Sequence, residues 1–386
     1  MSKKAFSKSA ISEPSRNIPD WVKICLFVRA GGRCEFDGCN AYLLEHHVTL
    51  TEGNFAQLAH VVAFSEQGPR GKENRPSDIN DIGNLMLLCH KCHKLIDDNP
   101  DQYSRMTLEG YKKGHEERIH HVTGLGPEQK TSILHVKSRI GDQTVEVPFD
   151  QILQAITPRY PLSKEGMLID LTQIPTGSSA FINAACDTIQ EQLRELLGAS
   201  REVKRSKHIS LFALAPIPVL IYLGSQLSNK VPLDLYQRHR DTENWTWKTS
   251  GDPAQYVFQK RQNGTKSGGV ALLLSLSGTI DNVTLPTEII AEYSVYELTL
   301  GNVTPNPTFL RTRQDLDEFR NQYQLAIATI VREHPGISQV DLFPAVPAPI
   351  GVLCGRELLP KVHPSVRVYD NDKHKGGFVY QLTINN

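Results

Sequence analysis

Seven residues between positions 34 and 93 carry most of the chemistry this chain could do. Cys34 and Cys39 form a C-x4-C pair, and Cys89 and Cys92 form a C-x2-C pair inside the run CHKCH. Two close thiolate pairs can give one tetrahedral Zn2+ four soft ligands and a closed shell, the pattern of a structural site. His60, Asn84 and His93 lie within and just after this frame. A histidine titrates near neutrality and can take a proton from an attacking water. A second histidine can hold a Mg2+-type ion against a phosphate, and an asparagine can assist it or brace a turn through its amide. Each also has a plainer role: four unrelated thiols, a half-buried strand histidine, a turn asparagine, and a fifth member of the zinc knuckle.

Short elements must position these groups. Pro19 and Asp20 open a helix that runs to Ala30 and stops at Gly31-Gly32. Asp37-Gly38 turns the chain between the first cysteines. Residues 54–64 read as a strand, 85–88 as a short strand, 91–97 as the start of a helix and 104–122 as a polar helix. The order His60, Asn84, His93 on a β, β, α frame resembles the HNH (ββα-metal) nucleases. The resemblance implies DNA cutting, with His60 activating water, Asn84 bracing the loop or helping hold the metal, and His93 as a Mg2+-type ligand. Many such nucleases place a metal ligand directly before the catalytic histidine; here that residue is Ala59, leaving Asp81 or Asp97 to complete the set.

The 386 residues suggest two or three domains. Charge is balanced, 42 basic against 42 acidic side chains, and residues 1–125 hold 16 of each. Tight stand-alone duplex binding relies on phosphate neutralisation, so it is not expected of that segment. Eight of the 14 histidines fall there, which favours metal or acid–base chemistry. Seven cysteines, an odd count with four clustered as C-x4-C and C-x2-C, indicate metal binding in a reducing compartment rather than a disulfide frame. No apolar signal core or membrane-length run is evident, and a soluble, cytoplasmic protein is expected.

Behind a linker at 123–132 the pattern changes. ILHVKSRI and QTVEVPF flank Gly141-Asp142 as a hairpin would, and strands then alternate with amphipathic helices over 179–197 and from Thr312 to about Arg332. HISLFALA (208–215) and GVALLLSLS (269–277) are apolar enough for buried parallel strands. Residues 211–231 and 342–362 match without a gap at eight positions, among them Phe212/Phe343, Pro216/Pro347, Pro218/Pro349, Gly224/Gly355 and Lys230/Lys361. This is a duplicated α/β unit, with halves at about 160–280 and 281–386. Doubly wound sheets bind ligands at the carboxyl ends of their strands, which points to Gln173, Ser277 and Pro347. Nucleotide bases stack on aromatic rings and phosphates seek cations, which points to Tyr236, Arg238, Trp245, Trp247 and Lys248. A hairpin packing Trp245 and Trp247 on the core is the alternative.

The whole layout resembles the HNH–SAVED effectors of bacterial CBASS antiphage defence, through the HNH motif, the LF-x3-P-x-P units and the closing VRVYDND…FVYQLTIN. The resemblance implies a zinc-stabilised α+β ββα-metal nuclease domain at 18–122, after a loose segment at 1–17. It also implies an α/β SAVED domain of two CARF-like, Rossmann-like halves at 133–386. It further implies a cyclic dinucleotide (cGAMP-like) activator made by a partner nucleotidyltransferase. Ligand-induced homo-oligomers, from dimer to tetramer, would then degrade double-stranded DNA. A non-catalytic nucleotide-responsive DNA-binding protein and an HNH restriction enzyme reading modified DNA are the rivals; the neutral charge and the duplication weigh against both.

Overall fold

A computed structural model describes residues 17–139, 146–175, 179–199, 207–229 and 231–385. The chain forms two compact units, residues 1–125 and 126–386.

In the first unit, helix α1 (Asp20–Ala30) ends where Gly31 takes φ 63°, and the amides of the Gly31-Gly32 turn bond back to Val28 and Phe27. Strands β1 (Ala56–His60) and β2 (Leu85–Cys89) pair antiparallel, with His60 opposite Leu85. Helices α2 (His90–Asp98) and α3 (Arg105–Thr123) follow, the latter capped by Ser104. Leu26, Ala30, Leu85 to Leu88, Ile96 and Leu108 form the core. The expected strand at 54–64 is shorter, because the chain turns out of register after His60.

The second unit holds two sheets. Strand β3 (Lys130–Lys137) pairs with β4 (Tyr160–Pro161), β5 (Met167–Asp170) and β6 (Ile209–Leu214), and β6 pairs with β7 (Leu233–Tyr236), all in parallel. We call this the first lobe, with helices α4 (Phe149–Ile156), α5 (Ser179–Arg194) and α6 (Ile217–Leu227). The expected hairpin is corrected: its turn lies outside the described residues, all the partners of β3 are parallel, and Phe149 opens a helix rather than extending a strand. The linker is also shorter than expected, since Lys130 already pairs with Tyr160.

The second lobe is a six-stranded sheet in the order β13-β12-β11-β9-β10-β8, from β8 (Tyr256–Gln262), β9 (Val270–Ser275), β10 (Ser294–Leu300), β11 (Gln339–Ala345), β12 (Ser365–Asp372) and β13 (Gly377–Ile384). The four inner strands are parallel and both edges antiparallel. Helices α7 (Thr287–Glu292), α8 (Arg313–Glu333) and α9 (Ala348–Arg356) connect them. Thr312 and Asp315 form a full capping box at the start of α8. The boundary between halves moves from the expected 280/281 to the segment between Tyr236 and Tyr256, because β9 pairs with β10 and β11.

The duplication is physical. Ser138 donates its amide to Leu214 O (2.9 Å) where β3 meets β6, and Ser277 donates to Ala345 O (2.7 Å) where β9 meets β11. In each lobe the chain reverses its winding direction at that point. Helices α6 and α9 pack on each other through the matched glycines. A Cβ on Gly224 would collide with Val352 O, and one on Gly355 with Ile221 O. Only glycine permits that backbone approach, so the repeated glycine is a lobe–lobe contact.

Candidate functional site: a four-thiolate clamp, a histidine–asparagine loop and a basic cleft

The thiolate frame is assembled from both sides of β2. Cys34 follows the Gly31-Gly32 turn, and Cys39 closes a tight turn by donating its amide to Phe36 O (3.0 Å). Cys89 ends β2 and caps α2, its sulfur accepting from Cys92 N (3.4 Å). Cys34 Sγ accepts from Cys89 N (3.3 Å). The four sulfurs lie within 4.8 Å of one another, and Cys39 and Cys89 stand 4.0 Å apart. Tetrahedral thiolates about 2.3 Å from a zinc ion sit about 3.8 Å apart, so the donor set and spacing fit that ion. Burial pushes the Cys34 thiol up to about 12. A bound cation would offset that cost by favouring the thiolates.

The knuckle is fastened to the core. Glu35 donates its amide to Leu87 O (2.9 Å) and accepts Leu87 N on its carboxylate (2.6 Å). Phe36 meets Tyr103 and Tyr111 edge-on. Lys112, on the polar helix α3, is 6 % exposed and lies 3.8 Å from Glu35. Burial raises Glu35 to about 7 despite that ammonium.

His60 is the last residue of β1, half-buried, with Nε2 3.0 Å from Asn80 Oδ1. An Nε2–H donated to that oxygen leaves Nδ1 as the basic nitrogen. Strand alternation turns Ala59 into the core at 1 % exposure, so no ligand could project from that position. Asn84 is corrected as a metal ligand. Its Oδ1 accepts Val62 N (2.9 Å), and its Nδ2 donates to Val62 O (3.1 Å) and Ile79 O (2.9 Å). The buried amide is committed to backbone, so Asn84 positions the strand exit that carries His60. Asp81 caps the following turn through Gly83 N (2.7 Å). His93 lies in α2 with Nε2 3.3 Å from Asp97.

Sequence reasoning missed Arg70. Its backbone sits at φ 56° and its side chain is buried. It donates to Val61 O (2.6 Å), Ile96 O (2.9 Å) and Tyr103 O (3.3 Å) and lies 3.5 Å from Asp97. Arg70 thus ties the residue after His60 to the carboxylate beside His93. A cleft of about 510 Å³ opens there, lined by Arg70, Lys72, Asp97 and Asp101 among others. The only local signal was an arginine between two glycines in GPRG.

The expected ligand residues divide. Tyr236 is core, stacked on Phe212 (4.5 Å, 4°), and Trp245 meets Phe212 edge-on at 5.3 Å. Trp247 is 8 % exposed and donates Nε1–H to Leu235 O (3.0 Å). The aromatic run therefore packs on the first sheet, where large rings remove most apolar area from water. Tyr236 and Trp245 are not stacking platforms. Pro347 is buried as the N-cap of α9, Gln173 is exposed after β5, and Ser277 is half-buried, its amide already used by Ala345. Arg238 lies 3.7 Å from Glu243. Trp247 and Lys248 do reach a cleft of about 740 Å³, lined also by Arg159, Asp234 and Arg313. Asp234 lies 3.1 Å from Arg159, 3.2 Å from Arg313 and 3.6 Å from His208. Burial alone would raise its carboxyl, but the His208 hydrogen bond and the two guanidinium groups hold it well below the usual range.

A four-thiolate knuckle on a ββα frame with two histidines is an arrangement of the nuclease type, and the second unit consists of two doubly wound lobes. The model of the SAVED family, described as the SMODS-associated and fused to various effectors sensor domain, matches residues 189–384. A model described as HNH endonuclease matches residues 34–99, from the first zinc-type cysteine to the end of α2. The chain belongs to the SAVED family and carries an HNH endonuclease domain in front, the arrangement of HNH–SAVED CBASS effectors. The SAVED match opens inside α5, so β3, β4 and β5 complete the first sheet outside it.

Among solved structures the chain is similar to the Acinetobacter baumannii Cap4 SAVED/CARF-domain containing receptor with the cyclic trinucleotide 2'3'3'-cAAA, at 13% identity and a TM-score of 0.43. The match covers 80% of this chain and 65% of that one. It is also similar to the Moraxella osloensis Cap4 SAVED/CARF-domain containing receptor, at 11% identity and a TM-score of 0.39, over 76% of this chain and 60% of that one. The chain thus spans less than two thirds of the receptors' length. No curated protein matches it. Among the described residues, no helix is long and apolar enough to cross a membrane.

Proposed function

We propose that this protein is a metal-dependent DNA endonuclease switched on by a cyclic oligonucleotide, an effector of antiphage defence. The carrying observation is the joining of an HNH endonuclease domain to a SAVED sensor in one chain. The activator is a cyclic dinucleotide of the cGAMP type, supplied by a partner nucleotidyltransferase, and the substrate is double-stranded DNA. Action is in the bacterial cytoplasm. Cys34, Cys39, Cys89 and Cys92 hold a structural Zn2+.

In the reaction, Nδ1 of His60 takes the proton of the attacking water while Asn80 fixes the ring through Nε2. Asn84 sets the position of that strand end. His93 and Asp97 are the groups that would hold a Mg2+-type ion, which supplies charge to the phosphate and the leaving oxygen. The head carries as many acidic as basic side chains over residues 1–125, so a single copy holds a duplex weakly. Ligand-induced assembly from dimer to tetramer raises the local concentration of heads on one duplex.

The test is incubation of full-length protein with supercoiled plasmid, Mg2+ and a panel of cyclic nucleotides, with mass in solution followed in parallel. Cutting and assembly that appear together with one panel member are expected. Equal cutting with and without every member would overturn the gating, and no cutting at all would overturn the nuclease.

A further inference from the structure

We infer that Arg70 is a positioning residue of the nuclease reaction. Its guanidinium holds the strand exit after His60 against the helix that carries His93, and it turns Asp97 toward that histidine. This rests on the proposed nuclease reading and adds to it a group that is buried and acts through others. The clasp joins three elements. Nε donates to Val61 O (2.6 Å), one residue past His60. Nη1 donates to Ile96 O (2.9 Å) in the last turn of α2, and to Tyr103 O (3.3 Å) just before the Ser104 cap of α3. The last carbonyls of a helix have no partner within it, so the bond to Ile96 also closes the end of α2.

Only arginine has this reach. Val61 O and Ile96 O are met by different nitrogens of one rigid fork, whereas an ammonium offers its donors from a single point. The chain accepts a backbone cost to place it, since Arg70 stands at φ 56°, in the left-handed region that favours glycine. Such strain persists where the surroundings over-determine it, and it clusters at functional sites. Here a tight loop fixes it: Ala63 N donates to Pro69 O (3.2 Å), Gly71 N to Gly68 O (3.0 Å) and Glu73 N to Arg70 O (3.1 Å). A Cβ on Gly71 would collide with Ser65 O, so the loop closes only with glycine there. Phe64 of the same loop lies edge-on to the His60 ring at 6.3 Å.

The remaining nitrogen of the fork faces the chemistry. Nη2 is buried and, among the described residues, makes no hydrogen bond; its nearest partner is Asp97 Oδ1, an ion pair at 3.5 Å. The other oxygen of that carboxylate lies 3.3 Å from His93 Nε2. The Asp97 side chain is 39 % exposed and could take several rotamers, and the buried cation selects the one with Oδ1 inward and Oδ2 toward His93. Outer partners that orient a metal-holding group are typically worth ten- to a hundredfold in metal affinity or activity.

The test uses full-length protein, Mn2+ as the probe of the metal site, and the variants Arg70→Lys, Asp97→Asn and the two combined. Arg70→Lys keeps a cation and loses the fork. Its Kd for Mn2+, read by calorimetry, should rise about tenfold or more. Its maximal rate of plasmid cutting, with the cyclic nucleotide that activates wild type, should fall by a similar factor at unchanged KM. The combined variant should bind Mn2+ no worse than Asp97→Asn alone, because a residue acting through Asp97 then has nothing left to position. Additive losses of affinity would make Arg70 a purely structural residue and overturn the inference. Should Arg70→Lys lose its zinc or its thermal transition, wild type carries the test. Mn2+ should then slow amide exchange in residues 66–73 together with 90–98, and protection confined to 90–98 overturns the inference. Wild type that binds Mn2+ and cuts, beside an Arg70→Lys variant that matches it in both, overturns this role and leaves the nuclease intact. Wild type that neither binds Mn2+ nor cuts overturns the nuclease reading itself.

Discussion

The head and the sensor build their sites in opposite ways. In the head, four thiolates, a histidine and a bracing asparagine come from three short segments, two of them joined by one antiparallel ladder. In the sensor, the cleft that Trp247 and Lys248 reach draws on four segments spread from Arg159 to Arg313. The first kind of site is written in local spacing, because a turn or a helix start fixes which side chains meet. The second depends on how two lobes close, and its residues have no spacing to show. The two aromatic candidates Tyr236 and Trp245 went to the core because both rings pack on Phe212 of β6.

The sharpest way to break this contrast is to remove the local frame. Cys89→Ser should abolish bound zinc, measured by elemental analysis, and unfold the head while the second unit keeps its helical and strand signal. A soluble, active, zinc-free variant would show that the clamp is not what holds the head. Next in size is His60→Ala, expected to slow plasmid cutting about a thousandfold with unchanged thermal midpoint and zinc content, since a general base acts only in the chemical step. Wild-type cutting would remove His60 from the reaction.

On the sensor side, the contrast says that the lobe contact matters more than any one ligand residue. Gly355→Ala should destabilise the second unit by about 3 kcal/mol in chemical denaturation, because the added Cβ meets Ile221 O across the α6–α9 crossing. Gly278→Ala, with open space around its Cβ, is the matched control and should change little. Equal losses in the two would separate the repeated glycine from the lobe contact.

The smallest effect concerns acid response. Burial raises Asp370 on β12 from the usual carboxylate range to about 6. A raised carboxyl pKa means the folded state holds its proton longer. Its contribution to stability is therefore present below about pH 4 and lost as pH rises through 6. Asp370→Asn should remove about 2–3 kcal/mol of that pH dependence between pH 4 and 7, read as the difference between the two unfolding curves. Parallel curves would mean that Asp370 is better solvated than its place on β12 implies.

The sequence by itself determined many element ends and the head's four-thiolate frame. CHKCH at a strand end, Asp37-Gly38 in a tight turn, the Gly31-Gly32 stop and the Thr312–Asp315 cap each act within a few residues, where backbone sterics and side-chain reach leave little choice. The repeat at residues 211–231 and 342–362 was equally plain, because matched prolines and glycines mark matched turns and contacts. Tertiary structure alone decided the rest. It put Asn84 on backbone instead of metal, since the amide's four bonding positions met three partners within the loop. It buried Arg70 as the tie between His60's strand and Asp97, a contact that joins residues 27 positions apart. It moved β9 into the second sheet, because strand partners are chosen by apolar burial on both faces, and a continuous apolar run fits either sheet until the crossovers are fixed.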